Sequence, residues 1–95
     1  MKVDEYGEMI IFNSTDEYYF KEESGIKPNT VRMAYNKEEK DILEDFYISI
    51  RNNCRYIEIH NKTSPHLFFQ RMIRDISKMM IPFTEDCIYI FSWKG

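Results

Sequence analysis

Ser24-Gly25-Ile26-Lys27-Pro28-Asn29-Thr30-Val31-Arg32 is the stretch that decides how this chain folds. Gly25 supplies the left-handed residue that closes a helix, and Pro28 cannot continue one, so the backbone must turn and extend here. A helix therefore ends in this stretch and a strand begins. Over residues 29 to 35 the strand's period of two puts Thr30 and Arg32 on one face and Val31, Met33 and Tyr35 on the other. Lys27, directly before Pro28, is pushed towards an extended conformation. A cation, a hydroxyl and a guanidinium thus converge on one side of the strand's start, and this cluster is the best functional clue in the sequence.

On the N-terminal side, Glu8-Met9-Ile10-Ile11-Phe12 reads as a largely buried strand. Ser14 with Glu17 three residues on reads as a capping box, and Asp16 and Glu17 favour the positive end of a helix dipole, so a helix runs to about Glu23. Its apolar residues, Tyr18, Tyr19 and Phe20, are too few for a deep core helix and place it across the rim of a sheet. On the C-terminal side, Asn36 caps a second helix with Glu39 at the reciprocal position. Ile42, Leu43, Phe46 and Ile50 recur at helical spacing, which predicts an amphipathic helix of roughly 37 to 52, stopped at Asn52-Asn53.

From Arg55 the period changes to that of a strand. Tyr56 to His60 is one strand, Asn61 to Pro65 is a loop of turn residues, and a hairpin follows. His66 to about Lys78 fits a strand with a bulge or break; a helix over 68 to 80 is the rival, because Phe69, Met72, Ile73 and Ile76 also fit a period of 3.6. Pro82 to Asp86 is a loop and Cys87 to Trp93 the last strand. The order β-α-β-α-β-β-β predicts an α+β fold: a small, mostly antiparallel, partly closed barrel with two flanking helices.

The 95 residues make one domain, 1–95, which buries roughly 60 to 65% of its unfolded surface. Seven Tyr, seven Phe and one Trp suit a curved, β-rich core. No run of about 18 apolar residues is present and the first residues are too acidic for a secretory leader, so a cytoplasmic protein without membrane contact is expected. Cys54 and Cys87 offer neither a disulfide framework nor a zinc spacing, and both are expected to be reduced. His60 and His66 flank the hairpin loop without a third ligand, so neither a metal nor another cofactor is expected. With 13 Lys and Arg against 16 Asp and Glu, the chain lacks the cationic footprint that sequence-independent binding to long nucleic acid needs, although a small local basic pocket remains open to it.

Gly25-x-Lys27-x-x-Thr30-x-Arg32 resembles the signature of the ASCH domain, a PUA-like β-barrel family. The wider pattern runs from Tyr18-Tyr19-x-Lys21-Glu22 through Ile57-x-Ile59-x-Asn61 and Phe69-x-Arg71-x-Ile73 to Phe91-Ser92-Trp93. It resembles small proteins of phages and prophages of Gram-positive bacteria, whose setting would be the host cytoplasm. The segment from Asn36 to Asn53 departs from that pattern by placing a helix where a shorter connection is usual. The resemblance implies a pocket under the motif strand that holds a nucleotide, nucleoside or short RNA element. Lys27 and Arg32 would meet phosphate or a base carbonyl, Asn29, Thr30 and Arg71 would add polar contacts, and Tyr19 or Trp93 would stack on the base.

The same resemblance carries an alternative, an amidohydrolase acting on N4-acylated cytidine with Lys27 as base and Thr30 as nucleophile. Its acid would be Glu85, the nearest carboxylate by order, or else Asp75 or Glu58. Non-enzymatic binding is favoured, because no motif places that acid. A further alternative is a phage-encoded protein that acts on a host protein partner or sequesters a signal nucleotide. In the plainest reading, Lys27 is solvated, Thr30 caps a turn and Arg32 ties the strand to Asp75 or Glu58.

Overall fold

The computed structural model describes residues 1–94. Its elements are β1 (Lys2–Val3), β2 (Met9–Ser14), α1 (Asp16–Glu23), β3 (Asn29–Met33), α2 (Lys37–Ser49), β4 (Tyr56–Asn61), β5 (Phe68–Met72), β6 (Asp75–Met80) and β7 (Cys87–Ser92). The fold is α+β, with two helices as expected. The strands do not close into a barrel: they form a four-stranded sheet of order β1-β2-β4-β5 and a three-stranded sheet of order β3-β7-β6. Pairing is antiparallel throughout except between β2 and β4, which run parallel. A parallel pair cannot be joined by a tight turn, and here the crossover consists of α1, β3 and α2. That crossover carries β3, with the motif residues, into the second sheet.

The long return strand expected over 66 to 78 breaks in two, and the break separates the sheets. Ile73 N–H donates to the Arg55 carbonyl at 2.9 Å, whereas the next residue, Arg74, donates to the Ser92 carbonyl at 2.8 Å. The pairing partner therefore changes within one residue. Ile73 is buried at the change. The rival helix over 68 to 80 does not form: Phe69, Ile73 and Ile76 face inward from an extended chain.

Between the sheets lies one core. Ile10 and Phe12 of β2, with Ile57 and Ile59 of β4, alternate inward and meet Ile76, Tyr89 and Phe91. Phe12 and Phe91 touch edge to face at a centroid distance of 5.4 Å, joining the two sheets at the centre. Tyr19 of α1, Leu43 and Phe46 of α2, Phe69, Ile73 and Trp93 complete the cluster. Each such side chain contributes about 1.5–3 kcal/mol when fully buried. No helix of the described residues is long and apolar enough to cross a membrane.

α2 begins at Lys37 as its sequence predicts. The Asn36 side chain accepts the Glu39 N–H at 2.8 Å, and the Glu39 carboxylate accepts the Tyr35 N–H at 2.9 Å, one residue earlier than a reciprocal capping box would place it. The helix ends at Ser49, three residues before the expected end, and the Asn52 and Asn53 N–H groups beyond it both donate to the Ser49 carbonyl. Asn36→Ala is expected to cost about 1 kcal/mol, a fall in melting temperature of roughly 4–8 °C for a domain of this size. A calorimetric melting temperature unchanged within a degree would show that the cap contributes nothing.

α1 corrects the other capping expectation. Its N-cap is Thr15, whose side chain makes no capping bond, and Ser14 is the last residue of β2. The Ser14 hydroxyl is used elsewhere, in the cavity described next.

Candidate functional site

The helix stop places Lys27. Gly25 adopts φ 84°, the left-handed value that only glycine takes without strain, and the Lys27 N–H closes back onto the Lys21 carbonyl at 2.9 Å. The Lys27 side chain is thereby returned towards the helix it has just left. Its ammonium donates to the Asn29 carbonyl at 2.7 Å and to a Glu22 carboxylate oxygen at 3.3 Å. Glu22 is 1% exposed, a charged side chain on the inward face of α1, and its other oxygen accepts the Ser14 hydroxyl at 2.7 Å. A carboxylate this deep is tolerated only when ion-paired and hydrogen-bonded, as it is here.

β3 supplies the other half. Its alternation puts Thr30 and Arg32 on one face, and Thr30 is 2% exposed. The Arg32 guanidinium donates through Nε to Thr30 Oγ1 at 3.0 Å, through Nη1 to the Asn13 carbonyl at 2.9 Å, and through Nη2 to Ser14 Oγ at 2.7 Å. It lies 4.5 Å from the Phe12 ring centroid, a cation–π contact that fixes the plane of the fork. Burial lowers the guanidinium from its usual value, and the neighbouring Glu22 carboxylate opposes that shift. The result is one connected network, Lys27–Glu22–Ser14–Arg32–Thr30, joining the end of β2, the inner face of α1 and the start of β3.

The network lines a cavity of about 420 Å³, together with Asn13, Thr15, Tyr18 and Val31. This is within the range of about 300–1,000 Å³ common for small-ligand sites. Donors come from Lys27 and Arg32, and an apolar wall from Tyr18, whose ring the Lys27 ammonium approaches at 5.6 Å, while the Glu22 oxygens are engaged by Ser14 and Lys27. Such a site can hold a polar ligand that has an anionic or carbonyl group and a flat ring.

Of the residues predicted from sequence, the structure brings together Lys27, Thr30 and Arg32, with Asn29 contributing its carbonyl. The ties expected from Arg32 to Asp75 or Glu58 are not made; its partners are Thr30, Asn13 and Ser14. Tyr19 and Trp93 lie in the core against Phe69, and Tyr18 is the ring that lines the cavity. Arg71 donates to the Gln70 and Glu23 carbonyls and ties β5 to the end of α1. Glu85 lines a different hollow, beside Tyr35, Lys40 and Cys87. Glu58 pairs with His60 and Gln70 on β4 and β5, and Asp75 accepts from Ser77.

Two residues central to the network, Ser14 and Glu22, are not among the site residues predicted from sequence. Glu22 carried a signal: it stands three residues after the buried Tyr19, on the helix face where an apolar residue belongs. Ser14 carried none, since its cap-like context points to a different role. Among the described residues there is no group of three or more His, Cys, Asp or Glu side chains able to hold a metal ion. Comparison with protein-family models, with curated proteins and with solved structures finds no match to this chain.

Proposed function

We propose that the cavity between β2, α1 and β3 binds a nucleotide, nucleoside or short RNA element without chemically altering it. The observation that carries this reading is the orientation of the Arg32 fork. Three of its five N–H donors are held by Thr30, Asn13 and Ser14, leaving two on the Nη nitrogens for a phosphate or a base carbonyl. Lys27 adds a second cation and Tyr18 a stacking face, the combination that single-stranded nucleic-acid sites use. The spacing of Gly25, Lys27, Thr30 and Arg32 supports the further reading that the chain is an ASCH-like, PUA-related protein, and the wider pattern from Tyr18 to Trp93 supports an origin in a phage or prophage.

A second reading, amidohydrolysis of N4-acylated cytidine, gains one point from the structure: Glu22, not Glu85, is the carboxylate that shares a network with Lys27 and Thr30. Against it, the Lys27 nitrogen donates to Glu22 and Asn29, and the Thr30 oxygen accepts from Arg32, so the pair is not arranged as base and nucleophile.

Calorimetric titration against nucleosides, mononucleotides, N4-acetylcytidine and short RNAs tests both readings. Arg32→Lys keeps a charge but loses the fork, and is expected to weaken binding about tenfold or more. Product analysis by mass on the same samples detects turnover; turnover lost in Thr30→Ala would replace binding by catalysis. Neither binding nor turnover across the panel would eliminate the cavity as the functional site. The interaction reading, with the exposed Met79, Met80 and Phe83 around the β6–β7 turn as its surface, would then take precedence.

A further inference from the structure

Arg32 stands between two hollows. The second, of about 310 Å³, does not include Lys27 in its lining, and Asn13, Val31 and Arg32 line both. Tyr35, Glu39 and Lys62 line the second and not the first, and Tyr35 also borders the hollow that holds Glu85. The cavity described above therefore shares a wall, Asn13, Val31 and Arg32, with its neighbour.

The second hollow repeats the chemistry of the first. Its ring is Tyr35, 87% exposed, whose backbone is nevertheless anchored by the N–H bond to the Glu39 carboxylate. Its cation is Lys62, which follows β4. The Lys62 N–H donates to the Ser14 carbonyl at 2.8 Å, so this residue is tied to the same strand end as Arg32. Among the described residues no carboxylate forms an ion pair with its ammonium. Glu39, the acidic side chain of this hollow, is engaged by the Tyr35 backbone. Ring and cation thus occur on both sides of Arg32: Tyr18 with Lys27, then Tyr35 with Lys62.

We propose that the two hollows form one groove that takes two consecutive nucleotides of a single strand, with the bridging phosphate on the two N–H groups of Arg32 that its protein partners leave free. One nucleoside occupies the Tyr18–Lys27 hollow and the next the Tyr35–Lys62 hollow. This rests on the nucleotide-binding reading of the first hollow and extends it to a ligand class: single-stranded, and at least two units long. Two separated stacking faces flanking one guanidinium match a chain of rings joined by a phosphate, and a lone nucleoside leaves the second ring and the second cation unused.

The test is calorimetric titration of the full chain with the 5′-mononucleotides AMP, CMP, GMP and UMP and with the dinucleotides ApA, CpC, GpG and UpU. At least one dinucleotide is expected to bind about tenfold or more tightly than its mononucleotide, the gain that one further stacked base supplies. Tyr35→Ala and Lys62→Ala, both at exposed side chains, should bring the ratio of the two affinities towards one, whereas Lys27→Ala should weaken both ligands. A ratio near one in the unmodified protein, or a ratio that survives Tyr35→Ala and Lys62→Ala, overturns the two-nucleotide site. Mononucleotide binding with no dinucleotide advantage overturns this inference alone. Absence of binding by every probe overturns it together with the nucleotide reading of the first hollow.

Discussion

Lys27→Met is expected to lower the free energy of unfolding by about 2–3 kcal/mol. The substitution leaves the Glu22 carboxylate, 1% exposed, with the Ser14 hydroxyl but without its ion pair. Breaking a fully buried pair costs about 3–5 kcal/mol because the remaining charge is uncompensated. The Lys27 side chain is 27% exposed, and water reaching that position moderates the loss. For a domain of this size the shift in melting temperature is on the order of 10–20 °C. The double variant Glu22→Gln with Lys27→Met should recover part of the loss, since it removes the charge that was stranded. Denaturant unfolding of the two single variants and the double variant measures the coupling. A loss below about 0.5 kcal/mol for Lys27→Met would place the pair with ordinary surface ion pairs and remove the energetic case for a tightly held network.

Glu44→Ala is expected to cost about 2–3 kcal/mol at neutral pH and progressively less in acid. Glu44 on α2 accepts from the Lys78 ammonium of β6 and from the Tyr89 hydroxyl of β7, so one carboxylate fastens the helix to the second sheet. The Tyr89 ring is fully buried, and removing Glu44 leaves its hydroxyl, at the edge of the core, without its acceptor. The bonds from Lys78 and Tyr89 hold the Glu44 carboxyl below its ordinary range, with burial acting in the opposite sense. Burial, together with the carboxylate, pushes the Tyr89 phenol up.

The sign of the pH effect follows. A carboxyl with a depressed folded value contributes stability that is fully present above its unfolded value, about 4.3 for Glu, and is lost as pH falls through the folded one. The gap in stability between the unmodified protein and Glu44→Ala should therefore be constant above about pH 5 and narrow below about pH 4. A gap that stays constant down to pH 2 would mean that Glu44 acts through packing and not through its charge.

His60 behaves in the opposite way on the outer face of the first sheet. Its two ring nitrogens lie 2.7 Å from the Pro65 carbonyl and from Glu58, and these two acceptors raise its value, the carbonyl first. The stability it adds is present below about pH 6.5 and is lost as pH rises through the folded value. The acid loss at Glu44 is therefore separated from the His60 transition by pH alone.

Much of the secondary structure was legible because it is local. Gly25 at positive φ, the Asn36 cap, the inward stripe of Leu43 and Phe46, and the alternation of Thr30 with Arg32 each depend on residues within a few positions of one another. Short-range sterics and one-turn hydrogen bonds write such features into sequence directly. The convergence of Lys27, Thr30 and Arg32 on one cavity belongs to the same class, because all three lie within six positions in the chain.

What only the tertiary structure decided depends on partners far apart in sequence. A period of two states which face of a strand is buried but not which strand lies beside it, so the same alternation is compatible with a closed barrel and with the two sheets found here. The break at Ile73 and Arg74 is set by the carbonyls of Arg55 and Ser92, each 18 positions from its donor. Arg32 meets Asn13 and Ser14 across 19 and 18 positions, and that contact removes Ser14 from the helix cap its neighbours predict and turns it to Glu22. Sequence by itself determined the turn that aims Lys27 and the face that carries Arg32. Only long-range pairing decided that Ser14 would link Arg32 to the Glu22–Lys27 pair and that Arg32 would also wall a hollow with Tyr35 and Lys62, because a hydrogen bond between distant residues leaves no periodic trace in the chain.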